Sequence, residues 1–109
     1  MRYYDLYGTR RTDIEDLQLA VATALEISFT ARNSLVKGDY YKADLARPRS
    51  VEVRPNLVND YGEEELIEPD YADRPLLVYV DGFDYAPDLE KVLTRIPDLE
   101  LLRRDTRPD

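Results

Sequence analysis

The sequence predicts an α+β domain: a mainly antiparallel sheet of five or six strands with two helices packed on one face. Three observations predict it. A strand-like opening runs straight into a capped amphipathic helix, several short alternating segments follow, and the chain closes on a strand, helix, strand succession. At 109 residues the chain fits one domain spanning 1–109, large enough to hide roughly two-thirds of its unfolded surface.

Arg2 to Thr9 reads as the first strand, with Tyr3, Asp5 and Tyr7 on one side, Tyr4 and Leu6 on the other, and Gly8 at its end. Thr12-Asp13-Ile14-Glu15 matches a capping box opened by Thr12, and Ile14, Leu17, Val21, Ala24 and Leu25 follow at helical spacing to about Glu26. Ile27 and Phe29 alternate with polar neighbours in a strand running toward Asn33. Lys37-Gly38-Asp39 turns into a strand from Tyr40 to Leu45, and Ser50 to Arg54 alternates again, with Val51 and Val53 on one face. Pro48 and Pro55 bracket that segment, where a missing amide hydrogen is tolerated. Together these three segments predict a meander.

Leu76 to Val80 is a nearly continuous apolar run, the pattern of a central strand buried on both faces, and Asp81-Gly82 is expected to end it. Pro87 fits the first turn of a second helix with the stripe Leu89, Val92, Leu93 and Ile96, stopped by Pro97; Asp84 is placed to cap it. A last strand is expected over Leu99 to Arg103. The first strand, the 76–80 strand and the last strand are expected close together, in an order related to a split β-α-β arrangement.

The charge is distributed unevenly. Between Asn59 and Asp73 stand Asp60, Glu63, Glu64, Glu65, Glu68, Asp70 and Asp73 with no Lys or Arg, so the window holds seven of the eight excess negative charges. It also holds Tyr61 and Tyr71, amphipathic rings that bury area in a contact while keeping a polar tip. The window is expected to form a long connection, and connections of this length in compact domains are often functional. Docking on a basic protein is weighed there against a merely solvating loop, and the interleaved tyrosines favour docking. Asp39 and Tyr40 form a second candidate contact patch, although one tyrosine of the Tyr40-Tyr41 pair should point inward in a strand.

Several functions are opposed by composition. A net charge of −8 repels nucleic acid and anionic lipid. The opening residues do not resemble a signal peptide, no run approaches the ~18 apolar residues of a membrane span, and the lack of cysteine suits a reducing cytoplasm. With no His and no Cys, the common catalytic triads and most zinc sites are unavailable, and the four glycines are too scattered for a phosphate cradle. Asp81 and Asp84 offer a Mg²⁺ site for a small hydrolase, but Asp-Gly is also an ordinary turn signal. The acidic window lacks the spacing of a calcium-binding loop, and a two-carboxylate glycosidase cleft has little room in this chain. The expectation is a protein without catalytic residues, cofactor or metal.

The Tyr-rich opening ending Asp5-Leu6-Tyr7-Gly8-Thr9, the capped helix, Gly38-Asp39-Tyr40-Tyr41, the acidic Glu68-Pro69-Asp70-Tyr71 and the run Pro75-Leu76-Leu77-Val78-Tyr79-Val80 give the chain a likeness to a known class. It resembles the small acidic immunity proteins encoded beside bacterial polymorphic toxins, including those of contact-dependent growth inhibition. The resemblance implies a protein that binds and neutralises a cognate toxin domain, often a nuclease. The alternatives are a non-inhibitory scaffold or regulatory module on a basic partner, and the Mg-dependent hydrolase.

Overall fold

The computed structural model describes residues 1–35 and 37–109, with the backbone alone of Asp60. Among the described residues the order is β1 (Arg2–Thr9), α1 (Ile14–Leu25), β2 (Thr30–Ser34), β3 (Gly38–Asp44), β4 (Ser50–Pro55), β5 (Leu57–Asp60), β6 (Glu63–Leu66), a 3-10 turn (Pro69–Tyr71), β7 (Leu76–Phe83), α2 (Pro87–Leu93) and β8 (Glu100–Arg107). This is an α+β fold. Six strands form one antiparallel sheet in the order β2-β3-β4-β7-β1-β8, and β5 and β6 form a separate two-stranded ribbon.

The sheet follows from side-chain alternation. Tyr7, Val51, Val53, Val78 and Val80 project to one face and meet Leu17 and Val21 of α1 and Leu93 of α2 in a single buried cluster. Both helices therefore lie on that face. β1 pairs antiparallel with β7 on one side and β8 on the other, so β7, α2 and β8 form the split β-α-β unit with β1 between its strands. On the helix face Asp5, only 1% exposed, accepts two hydrogen bonds from Arg104 at 2.9 Å each, and Arg104 also reaches Glu90 at 2.9 Å. A buried carboxylate is tolerable there because a planar, bidentate cation satisfies both of its oxygens.

Several boundaries differ from the sequence reading. Asp13, not Thr12, caps α1, its side chain accepting from the Asp16 amide at 3.2 Å; Glu15 is drawn instead to the Tyr41 hydroxyl. Ile27 and Phe29 are half-buried in an extended lead-in, and pairing starts only at Thr30. Asp81-Gly82 does not end β7, because Gly82 is skipped in the register, Tyr3 facing Phe83 and Tyr4 facing Asp81. Its φ of +79° suits glycine, and an added Cβ would meet the Pro48 carbonyl. Asp84 does not cap α2, whose N-cap position is Ala86, with no side-chain cap, and whose first residue is Pro87. The last strand also runs on to Arg107.

Candidate functional site

The acidic window is built as a hairpin rather than as the long loop expected. Leu57 pairs with Leu66, Val58 with Glu65, Asn59 with Glu64 and Asp60 with Glu63. The two residues between the strands, Tyr61 and Gly62, have φ of 52° and 83°. Two successive positive φ values are the signature of the primed turn that matches strand twist in a two-residue hairpin. Position one of such a turn favours Asn, Asp or Gly; a bulky aromatic there is unusual. Tyr61 is 92% exposed, so burial of its ring does not account for it.

Asn56 fixes the ribbon to the sheet. Its backbone donates to the Pro75 carbonyl at 2.9 Å and accepts from the Ile67 amide at 2.8 Å. Its buried side chain donates to the Glu68 and Tyr71 carbonyls and accepts from the Glu68 amide at 2.8 Å. The segment that follows crosses the sheet face opposite the helices. Glu68 accepts from the Tyr79 hydroxyl at 2.6 Å and pairs with Arg103 at 3.0 Å, Tyr71 donates to the Leu102 carbonyl at 3.1 Å, and Arg74 lies over Gly8.

These contacts divide the residues singled out in the sequence. Glu68 is held internally: burial would raise its pKa, but the hydrogen bonds from Arg103 and Tyr79 outweigh that and hold it below the ordinary carboxylate value. Burial and the same Glu68 contact push the Tyr79 hydroxyl up. Asp73 pairs with Arg74 at 2.6 Å and with Arg10 at 3.6 Å, and Tyr71 is half-buried by its own anchor. Tyr40 is buried at 9% exposure under the Lys37 ammonium, and Asp39 accepts from Asn33 at 2.5 Å.

Tyr61, Glu63, Glu64, Glu65 and Asp70 are exposed, and none of these four carboxylates has an ion pair among the described residues. The side chain of Asp60 lies outside the described residues. Glu64 shares a ribbon face with Leu57 and Leu66, both exposed, so three crowded carboxylates, one ring and an apolar pair occupy one small ribbon. Sequence reasoning missed the two leucines; the signal was their symmetric placement about Tyr61-Gly62.

Asp81 is half-buried in β7 and Asp84 is exposed beyond it. Among the described residues no group of three or more Asp or Glu side chains is arranged to hold a metal ion, and no helix is long and apolar enough to cross a membrane. Compared with known proteins, the chain matches no family model and no curated sequence.

Proposed function

We propose that this chain is an inhibitory binding protein of the immunity class, which docks through the β5–β6 ribbon on the basic surface of a cognate toxin domain and blocks it without catalysis of its own. The observation that carries the reading is Tyr61: a fully displayed aromatic in a left-handed turn position, followed at once by three carboxylates with no internal ion pair among the described residues. Strained, exposed residues persist where a function uses them. Rigid rings at the centre of a contact supply most of its energy, and a field of like charge steers a complementary partner at rates up to about 10⁸ M⁻¹s⁻¹.

A nuclease groove is the partner surface that fits best, because a site built to hold phosphates is cationic and a carboxylate-bearing ribbon competes for it. The reading places the protein in the cytoplasm, where such a toxin acts. Co-production of the chain with the variable C-terminal domain of an exported protein encoded beside it tests this. Wild-type chain should protect the cells, and the Glu63→Lys/Glu64→Lys/Glu65→Lys variant, folded by circular dichroism, should not. Full protection by that variant would remove the ribbon from the interface. A stable complex in which the toxin domain stays active would favour the scaffold reading.

A further inference from the structure

A cavity of about 470 Å³ opens between the β2–β3 hairpin and the first turn of α1. Ile14 and Glu15 line it from α1, Ala31 and Asn33 from β2, and Asp39 and Tyr41 from β3. Register brings the strand residues together: Ala31 faces Tyr41, Asn33 faces Asp39, and Tyr41 in turn faces Val53 of the core. Alternation therefore turns all four toward the helices. The volume lies within the roughly 300–1,000 Å³ range of ligand pockets.

The lining selects a cation. Glu15 and Asp39 have no ion pair among the described residues, and each accepts from a neutral donor, Glu15 from the Tyr41 hydroxyl and Asp39 from the Asn33 amide at 2.5 Å. Both keep capacity, because a carboxylate accepts at about four lone-pair sites. The nearby bases are committed elsewhere. Arg32, which also borders the cavity, stands opposite Tyr40 on the other face of the sheet and holds Asp44 at 2.9 Å; Arg11 holds Asp16, and Lys37 holds Glu52 at 2.8 Å. The dipole of α1 offsets part of the charge on Glu15, but Asp39 lies outside that element. Lys or Arg groups lie over the rings of Tyr3, Tyr4, Tyr40, Tyr79 and Phe83, and among the described residues none lies over Tyr41. Two carboxylates thus flank an uncovered ring, with Ile14 and Ala31 as apolar surface beside it. Both charges reach the same phenol: the Tyr41 pKa is raised first by the hydrogen bond to Glu15, then by burial and by the charges of Glu15 and Asp39.

We propose that this cavity receives one long basic side chain, lysine or arginine, of the partner that the ribbon meets, with its cationic head between Glu15 and Asp39 and its stem along Tyr41, Ile14 and Ala31. This second contact rests on the docking reading above. Placement supports one partner for both. Tyr41 faces Val53, so Asp39, two residues earlier in β3, lies toward the end of the sheet where β4 runs out at Pro55 into the ribbon. β1 ends there too, since Thr9 and Pro55 both face Leu76, and α1 follows from that end.

The test is an NMR titration of the full chain at physiological salt with N-acetyl-lysine methylamide and N-acetyl-arginine methylamide, and with N-acetyl-norleucine methylamide as the uncharged stem. Saturable shifts are expected at Ile14, Ala31 and Tyr41 with a cationic probe and not with norleucine. Asp39→Asn and Glu15→Gln, both at exposed positions, should each weaken binding by about fivefold, and Glu63→Gln/Glu64→Gln/Glu65→Gln should leave it unchanged. A thermal melt establishes that the variants are folded. Shifts that are absent, that norleucine reproduces, or that both carboxylate variants leave intact overturn the cavity and leave the ribbon reading standing. In the co-production assay, reduced protection by Glu15→Gln/Asp39→Asn supports a partner side chain as the occupant; full protection overturns it in favour of a free organic cation. Conversely, a ribbon variant that still protects cells sinks the ribbon and leaves the titration untouched.

Discussion

Asn56 donates to two carbonyls and accepts from one amide while 1% exposed, so its removal would strand several buried backbone groups at once. Each such group costs about 1–3 kcal/mol when unsatisfied. Asn56→Ala should therefore destabilise the protein by about 2–4 kcal/mol in chemical denaturation, with hydrogen exchange rising first across 57–71. Asp81 works in the opposite direction. Burial and Glu52 raise its pKa, with Asp5 adding to the effect and Arg107 and Lys42 opposing it. The folded state thus binds the proton more tightly than the unfolded chain, and stability falls as pH rises through the raised native value. Asp81→Asn should raise Tm at pH 7, and that advantage should vanish in acid below the ordinary carboxylate range. An equal Tm difference at both pH values would contradict the assignment.

At the scale of elements, the β5–β6 ribbon is where sequence and structure diverge most. The seven carboxylates and two tyrosines were legible as a feature, but not as strands, because Glu-rich segments have low strand propensity and Tyr-Gly is a poor primed-turn signal. The ribbon forms because Asn56 fastens both of its ends and Val58 within β5 is buried. Glu68, Tyr71 and Asp73 could not be separated from Glu63, Glu64 and Glu65 by sequence, since the difference lies in Arg103, Leu102 and Arg10, which only folding brings near. Tyr61 is the informative position. Replacement by Asn, which tolerates positive φ, should stabilise the chain by about 1 kcal/mol while weakening partner binding. A Tyr61→Asn variant less stable than wild type would show that the ring serves the fold instead.

On the scale of the whole molecule, the strand, helix, strand ends of the chain were readable because α1 carries a helical apolar stripe and β7 a nearly continuous apolar run. The neighbourhood of β1, β7 and β8 was expected, whereas their order required the Asp5–Arg104 pairing and the Gly82 and Leu102 register shifts, none of which has a sequence signature. The resulting molecule is asymmetric: the two helices cover one face of the sheet, and the segment that follows the acidic ribbon crosses the other through Glu68 and Tyr71. If the ribbon meets a cationic surface, its charge must act before contact, during diffusional approach, where salt screens it with a Debye length of about 8 Å at physiological ionic strength. The decisive measurement is stopped-flow association with the toxin domain across a salt series, for wild type and for Glu63→Lys/Glu64→Lys/Glu65→Lys. The account predicts an association rate lower by about tenfold or more in the variant and a flattened salt dependence; identical rates and identical salt slopes would contradict it.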